Sequence, residues 1–219
     1  MGTMAKIFIT GGTGYMGRRL IPELARRGHD VRALVRPGSE RKLPGGCEVV
    51  VGSALDASTY SGHAEGRDTF MHLVGVAHPS PAKGQEFRSI DLVAGQAAIA
   101  AAVEARVRHF IYVSVAQPAP MMKTYIDVRA QCEDTLRKSK LNATILRPWY
   151  VLGPGHRWPY VLLPLYWLAE RFPMTKDGAR RLGLVTLPQM IAALVAAVDH
   201  VPEGIRVVEV PAIRAAEGP

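Results

Sequence analysis

Hydrophobic residues along this chain fall into short runs that alternate with longer segments of helical spacing. Short runs rich in β-branched and aromatic residues predict strands, and apolar residues three or four positions apart predict helices. The predicted strands are 6–10, 30–35, 48–51, 69–74, 109–114, 144–147 and 206–210, and the predicted helices are 15–27, 87–106, 125–138 and 187–199. Strands and helices that alternate in this way predict an α/β fold with a doubly wound parallel sheet.

Three local features modify this pattern. Pro22 lies within the first predicted helix and is expected either to kink it or to occupy its exposed side. The alanine-rich stretch 97–102 predicts a helix that packs closely on the sheet, with a dimer contact as the alternative. The tail after Pro211 is small and polar, and we expect it to fray.

The composition is that of one water-soluble domain. The chain has 219 residues, of which 48% are hydrophobic and 21% are charged, so it can bury one sizeable core over residues 1–219. No stretch approaches the roughly 18 apolar residues of a membrane span, and we expect a cytoplasmic protein. The two cysteines, Cys47 and Cys132, lie far apart without metal-ligand spacing, and we expect neither a disulfide nor a metal site.

The formal net charge of +8 is spread along the chain in short pairs such as Arg18-Arg19 and Arg26-Arg27. Aromatic and basic residues are not interleaved, and no helix-turn-helix pattern occurs, so we expect no specific nucleic-acid partner. General polyanion binding stays open as a minor alternative. The phosphates of a cofactor are a sufficient partner for several of these charges.

The strongest chemical signal is the segment 9–17, Ile-Thr-Gly-Gly-Thr-Gly-Tyr-Met-Gly, which follows a predicted strand and opens a predicted helix. In a dinucleotide-binding turn, Gly11 would allow the tight bend, Gly14 would let backbone N–H groups approach a pyrophosphate, and Gly17 would permit close helix packing. The alternative is a glycine-rich turn without a ligand. The order of strand, turn and helix favours dinucleotide binding.

The Gly-x2-Gly-x2-Gly spacing, together with Thr10, Thr13 and Tyr15, resembles the extended and atypical short-chain dehydrogenase/reductase families. Further matching segments are 72–75 (His-Leu-Val-Gly), 110–114 (Phe-Ile-Tyr-Val-Ser), 144–148 (Thr-Ile-Leu-Arg-Pro) and 153–155 (Gly-Pro-Gly). The run 125–155 is most similar to the group that contains the accessory subunit of respiratory complex I. The resemblance covers nearly the whole chain and implies a Rossmann fold that binds NAD(P).

The residue after the second predicted strand bears on the choice between NADP(H) and NAD(H). NAD-binding proteins usually place a carboxylate there to hold the ribose 2′-hydroxyl, whereas this chain has Arg36. A guanidinium can pair with a 2′-phosphate through charge-assisted hydrogen bonds. We therefore expect NADP(H), with NAD(H) as the alternative and a merely exposed Arg36 as the other interpretation.

The resemblance implies further cofactor contacts around the expected crevice. The residues after the third strand would line the adenine, although Ser53 stands where the family often has aspartate. Small or apolar residues after the fourth strand would pass beneath the cofactor, and residues after the sixth would border the nicotinamide. The full set is Gly11, Thr13, Gly14, Tyr15, Met16, Arg36, Ser53, Ala54, Leu55, Leu73, Val74, Gly75, Val113, Ser114, Tyr125, Arg129, Pro148, Trp149, Tyr150 and Val151.

The same resemblance implies a catalytic group at Tyr125, Arg129 and Ser114. Reductases of this superfamily use a hydroxyl residue, a tyrosine and a lysine four residues later, and here arginine replaces the lysine. Arg129 shares a helical face with Tyr125, and it would bond the nicotinamide ribose and favour the tyrosinate. Arginine cannot relay a proton at ordinary pH, and Val115 stands where the hydroxyl residue is expected. Ser114 would then help only if the strand end twists, with Gln117 as a substitute donor.

Alternatives for these residues stay open. Tyr125 is equally interpreted as a core tyrosine or as a cofactor contact without acid-base chemistry. Asp91 is a further candidate near the site, or a charge at a helix N-terminus. The apolar, aromatic stretch 158–167 belongs to an expected lid over 149–185, and its other interpretations are a buried helix, a dimer surface or weak peripheral membrane contact.

Two functions follow from these features. The first is an NADP(H)-dependent oxidoreductase that acts on a small, largely apolar substrate, with Tyr125 handling the proton. The second is a non-catalytic NADP(H)-binding protein that senses redox state or stabilises a protein partner. The replacements at Arg129 and Val115 motivate the second.

Overall fold

The computed structural model describes residues 4–154 and 181–216. In this part of the chain a seven-stranded parallel sheet has the order β3-β2-β1-β4-β5-β6-β9, and a second sheet pairs β7 with β8. The strands are β1 Lys6–Thr10, β2 Asp30–Val35, β3 Glu48–Val51, β4 Thr69–His72, β5 His109–Val113, β6 Ala143–Arg147, β7 Tyr150–Leu152, β8 Leu184–Thr186 and β9 Ile205–Glu209.

Helices connect the strands on both faces of the large sheet. The α-helices are α1 Gly17–Arg26, α2 Ser61–Ala64, α3 Gly84–Glu86, α4 Val93–Glu104, α5 Lys123–Lys138, α6 Leu187–Asp199 and α7 Val210–Arg214. A π-helical segment, Phe87–Leu92, joins α3 to α4. Short 3-10 turns occur at Glu40–Lys42, Ala57–Thr59 and Pro81–Lys83. The predicted α/β fold of Rossmann type is confirmed.

The predicted elements agree with the structure to within about two residues at their ends. Helix α1 runs without interruption through Pro22, whose side chain is exposed. Of the two expectations for this proline, a kink or a position on the exposed side, the second is confirmed. The prediction for the C-terminal tail was wrong. Val210 begins helix α7, in which proline follows in the first turn, and Ile213 is fully buried. Proline suits that position because the first turn needs no N–H there.

Both faces of the large sheet are buried, which is why its strands are apolar at successive positions. One face contributes Ile7 and Ile9, which pack with residues of α1 and α6. The other face contributes Phe8, Phe70 and Phe110, which form a row of rings with centroids 5.1 Å and 5.4 Å apart, and α4 and α5 cover it. The sheet is therefore the centre of two hydrophobic clusters.

Helices α4 and α5 lie unusually close to each other. A Cβ placed on Gly95 would lie 2.6 Å from Sγ of Cys132 on α5. Ala98, Ala101 and Ala102 are fully buried against the sheet side. The packing interpretation of the alanine-rich stretch is supported, and the dimer contact stays a prediction.

The expected lid, 149–185, falls largely outside the described residues, as does the aromatic stretch 158–167. Its described ends form the small sheet, in which Tyr150 pairs with Leu184 and Leu152 with Thr186. Sequence reasoning did not predict this sheet. Among the described residues, no helix is both long and apolar enough to cross a bilayer.

The start of α6 provides a test of the fold. Oγ1 of Thr186 accepts a hydrogen bond from the backbone N–H of Gln189, and the Gln189 side chain accepts from the backbone N–H of Thr186. We expect Thr186→Ala to lower the free energy of unfolding by about 1 kcal/mol, because the backbone N–H of Gln189 loses the hydroxyl that accepts its hydrogen bond. Urea denaturation measures the change. Thr186→Ser keeps the hydroxyl and should retain most of the stability, and equal losses in both variants would contradict the capping role.

Candidate functional site

The glycine-rich turn bends between the end of β1 and the start of α1. Gly11 has a φ of +84°, and a Cβ there would lie 2.7 Å from the backbone carbon of Leu73. A Cβ on Gly17 would lie 2.6 Å from the carbonyl oxygens of Gly11 and Gly12. Both positions therefore require glycine, one for its conformation and the other for the close approach of α1.

This turn presents the N-terminus of α1 at the point where the strand order reverses, between β1 and β4. The N–H of Gly14 donates to the carbonyl of Gly11 at 3.0 Å, which closes the turn. No side chain caps α1, and its first turn contains no acidic residue. Backbone N–H groups and the positive end of the helix dipole are thus directed at the crevice where open α/β sheets bind ligands, and a pyrophosphate fits this chemistry.

The expected adenosine-side residues follow β2 and β3 at the same edge of the sheet. Arg36 comes directly after β2 and is exposed. Ser53 is partly buried, and its hydroxyl accepts a hydrogen bond from the N–H of Leu55 at 3.3 Å. Ala54 packs against the core, whereas Leu55 is 44% exposed. Arg36 and Leu55 therefore have the exposure that a bound nucleotide would need.

A buried row of polar side chains crosses the carboxyl ends of three strands. Oγ1 of Thr10 and Nδ1 of His72 are hydrogen-bonded at 2.8 Å, and the His72 ring stacks on Tyr112 with centroids 5.9 Å apart. His72 is fully buried. Burial and, next, the charge of Arg129 lower the pKa of His72 to about 3, so this imidazole is neutral in the folded protein.

Tyr125 and Arg129 lie together on α5 beside this row. The guanidinium carbon of Arg129 lies 5.1 Å from the ring centroid of Tyr125. Its Nη1 donates to the carbonyl of Val113 at 2.9 Å and to the hydroxyl of Tyr112 at 3.4 Å. Its Nη2 forms an ion pair with Asp91 and makes a longer contact of 3.5 Å with the carbonyl of Val74. The structure thus brings Tyr125 and Arg129 together at the ends of β4 and β5.

Burial strongly affects this ion pair. The side chains of Asp91 and Arg129 are 0% and 5% exposed. Burial opposes the charge on Arg129, but Tyr125, Tyr112 and Asp91 outweigh it and hold the pKa of Arg129 well above its ordinary value. Burial raises the pKa of Asp91, while Arg129 and the N–H of Val76 oppose the rise.

Ser114 is directed to a different group. Its hydroxyl donates to Oε1 of Glu133 at 2.6 Å, and the side chain of Gln117 donates to the same oxygen at 3.0 Å. Glu133 is also paired with Arg147. Because Glu133 lies eight residues after Tyr125 on α5, about 12 Å farther along the helix axis, the Ser114 hydroxyl points away from Tyr125.

The residues after β6 lie next to the glycine-rich turn. The carbonyl of Pro148 accepts from the N–H of Ala116 at 3.0 Å, and Trp149 packs against the main core cluster. A Cβ on Gly153 would collide with the hydroxyl of Tyr15. Tyr15 therefore links the turn to the segment that contains Tyr150 and Val151.

Sequence reasoning missed three contributors to this site. His72 is the polar end of a strand that is otherwise apolar or β-branched, which is a readable signal. Glu133 follows Arg129 by four residues, so it shares the helical face of Tyr125. Phe87, whose ring centroid lies 4.9 Å from that of Tyr125, gave no signal distinct from ordinary core packing. Within the described ranges, no group of three or more candidate ligands could hold a metal.

Comparison with known proteins identifies the kind of site. A family model described as NAD(P)H-binding matches residues 11–159. The chain is 30% identical over 196 residues to a ceramide reductase of Caulobacter vibrioides, covering 87% of this chain and 60% of that protein. It is 25% identical over 170 residues to 4-hydroxy-2-methyl-3-oxo-4-farnesyl-3,4-dihydroquinoline-1-oxide ketoreductase of Stigmatella aurantiaca, covering 68% and 51%.

The solved structure of the Bordetella bronchiseptica enzyme WbmH in complex with NAD+ has a similar fold. The TM-score is 0.70 at 22% identity, and the match covers 94% of this chain and 76% of that one. At this identity the similarity supports the fold alone. The chain spans about half to three fifths of the length of the two reductases above.

The buried His72 predicts how stability depends on pH. The unfolded chain binds a proton at this residue below about pH 6.5, the ordinary histidine value, whereas the folded protein binds it only near pH 3. Stability is therefore lost as the pH falls through this window. We expect His72→Gln, which cannot titrate, to lose about 1.4 kcal/mol less per pH unit over that window. Urea denaturation at a series of pH values measures the slopes, and parallel slopes would contradict the neutral, buried state of His72.

Proposed function

Because the chain belongs to the NAD(P)H-binding family, in an atypical branch of the short-chain dehydrogenase/reductase superfamily, we propose that it is an NADP(H)-dependent oxidoreductase acting on a small, largely apolar substrate. The observation that carries the proposal is the position of Tyr125. Its ring is held beside the ends of β4 and β5, at the same edge of the sheet as the glycine-rich turn.

The described residues fit a bound dinucleotide. Gly11 and Gly17 let the turn bend tightly against the N-terminus of α1, and the pyrophosphate would lie there, next to Gly14. Thr13, Tyr15 and Met16 flank it. Partly buried Leu73 and Val74, followed by exposed Gly75, would pass beneath the cofactor, and Pro148 to Val151 would border the nicotinamide. When bound, the cofactor supplies or accepts hydride at the nicotinamide C4.

Tyr125 supplies the proton in this proposal. During reduction of a carbonyl, its phenolic O–H donates a proton to the carbonyl oxygen while hydride reaches the carbonyl carbon; in the reverse direction the phenolate takes the proton back. The Phe87 ring and the Arg129 guanidinium contact the Tyr125 ring and fix its position. Ser114 donates its hydrogen bond to Glu133, so in this proposal it would hold α5 in place and would not bond the substrate.

The apolar nature of the substrate is supported by the two relatives. Their names designate reductases of a ceramide and of a farnesyl-bearing quinoline oxide, and both of these molecules are lipophilic. In this chain, the half-buried Trp149 and Val151 follow β6 and pack against the core, and in this proposal they would border an apolar substrate. An apolar carbonyl or hydroxyl compound is therefore the substrate class that we propose.

A second candidate function is cofactor binding without catalysis, in a redox sensor or accessory protein. The structural observation that favours it is that the side chains expected to assist Tyr125 are already bonded to other protein groups. Arg129 is already engaged by Asp91 and two backbone carbonyls, Ser114 is engaged by Glu133, and Val115 replaces the expected hydroxyl residue. The two candidates differ in whether a bound cofactor turns over.

The cofactor preference is tested by titrating the protein with NADPH and NADH and following cofactor fluorescence. We expect NADPH to bind more tightly, and Arg36→Ala to weaken NADPH by about tenfold to a hundredfold while changing NADH little, because only NADPH presents a 2′-phosphate. Arg108→Ala, an exposed arginine at the opposite edge of the sheet, is the control for lost charge. Equal affinities in the unaltered protein would overturn the NADP assignment.

The catalytic proposal is tested with a panel of apolar aldehydes, ketones, enones and quinones. We expect NADPH oxidation with at least one of them. Tyr125→Phe should lower kcat by about 10²- to 10⁴-fold, the usual contribution of a positioned acid, and should leave NADPH affinity unchanged. Binding of NADPH without turnover of any panel member would favour the second candidate, and the search would turn to protein partners.

A further inference from the structure

Two pairs of residues, each four positions apart, face each other across the site. On the π-helical segment these are Phe87 and Asp91, and on α5 they are Tyr125 and Arg129. The Phe87 and Tyr125 rings are 4.9 Å apart between centroids, and Asp91 is ion-paired with Arg129. One segment therefore contacts both members of the Tyr125 and Arg129 pair. π-Helical turns inside α-helices are frequent at functional sites.

The two carboxylate oxygens of Asp91 have different partners. Oδ1 accepts from Nη2 of Arg129, and Oδ2 accepts from the backbone N–H of Val76 at 3.0 Å. Val76 follows the segment that would pass beneath the cofactor. A Cβ on Gly75 would lie 2.5 Å from Nη2 of Arg129 and 3.3 Å from Oδ1 of Asp91. Asp91 thus joins Arg129 to the backbone after β4, in a space that only glycine leaves open.

The Arg129 guanidinium is nearly saturated by protein acceptors. Both Nη atoms have partners, on Asp91, Val74, Val113 and Tyr112, and only the buried Nε lacks one among the described residues. A planar guanidinium can donate hydrogen bonds to four acceptors that lie in different directions, whereas a lysine ammonium has three donors on a single atom. Arg129 therefore has the contacts of a structural cation, by which we mean a charged group that holds protein segments together and does not bind a ligand.

The pair also behaves as a unit energetically. Removing one partner of a buried ion pair leaves an uncompensated charge, which is far more disruptive than removing both. Without Asp91, the buried guanidinium would keep only neutral acceptors, and its uncompensated charge would favour a shift toward water. Tyr125 would then lose the planar group that lies 5.1 Å from its ring centroid.

We propose that Asp91 is a positioning residue that acts through Arg129 to fix the Tyr125 ring, and that Arg129 is a structural cation and not a ligand of the nicotinamide ribose. The functional meaning of this inference rests on the proposed proton transfer by Tyr125. The contacts themselves involve no cofactor or substrate. They are therefore measurable even in a protein that proves to have no turnover.

The test is ¹⁹F NMR of the full chain labelled with 3-fluorotyrosine. The protein has seven tyrosines, and the Tyr125 resonance is assigned by its loss in Tyr125→Phe. We expect Asp91→Asn and Arg129→Met each to move this resonance by more than its line width. In an Arg129→Met background, Asp91→Asn should not move the resonance farther from its position in the unaltered protein, because Asp91 acts through Arg129 and its removal there relieves an unpaired buried charge.

Arg67→Gln is the matched control. Arg67 is also a buried cation with a carboxylate partner, Asp30 at 2.8 Å, but it precedes β4 at the opposite edge of the sheet. This variant should lose stability and leave the Tyr125 resonance in place. If Asp91→Asn does not fold, Gly75→Ala decides, since its added Cβ displaces Arg129 without changing any charge, and the Tyr125 resonance should again move.

Three results would overturn the inference. The first is an unmoved Tyr125 resonance in a folded Asp91→Asn protein. The second is a displacement in the Asp91→Asn, Arg129→Met double variant that equals the sum of the two single displacements. The third is a gain of turnover in Arg129→Lys, which would mean that a lysine relay was all the site lacked. Absence of turnover in every variant would count against the proposed reductase function alone.

Discussion

Burial of both faces of the parallel sheet is the constraint on which the rest of this structure depends. Helices cover the sheet on each side, so a polar side chain that points from a strand into either layer is removed from water. Such a group is costly unless it finds a partner. Thr10 bonds to Nδ1 of His72, Ser114 donates to Glu133, and Arg129 pairs with Asp91, while Nε2 of His72 and Nε of Arg129 lack a partner among the described residues. These three pairs lie at the carboxyl edge of the sheet, where the strands end and the crevice opens.

Helix α5 separates this chemistry into two networks along its length. Tyr125 and, one turn later, Arg129 face the ends of β4 and β5. Glu133, a further turn along, faces Ser114 and Arg147. Because the Ser114 hydroxyl donates its one proton to Glu133, it has no O–H left to donate beside Tyr125. The replacement of the expected serine by Val115, which is 2% exposed, is thus not repaired by its neighbour, because adjacent strand residues point to opposite faces.

The strands and the dinucleotide turn could be predicted because their signals are local. Runs such as 6–10 and 30–35 carry their own burial pattern, and the spacing of the glycines itself marks the turn. The steric need for glycine at 17 comes from residues close in sequence, whereas that at 11 comes from the backbone of Leu73. The π-helical segment could not be predicted, because its sequence has no property that separates it from an α-helix. What distinguishes it in the structure is that Phe87 and Asp91, both within it, contact Tyr125 and Arg129 of α5. The Ser114 direction also depends on a partner 19 residues away. The small sheet depends on strands more than 30 residues apart, Tyr150–Leu152 and Leu184–Thr186.

Arginine in place of lysine then has a consequence for how the site works. A lysine that shuttles protons must change its charge and reach solvent or substrate, and both require a flexible, partly hydrated ammonium. Arg129 is 5% exposed, is paired with a carboxylate and keeps its charge. Phe87 and Arg129 both contact the Tyr125 ring. In the proposed reductase, a proton lost from Tyr125 would therefore be replaced from the part of the ring that these two side chains leave uncovered, whereas a cofactor-binding protein without catalysis would need no replacement.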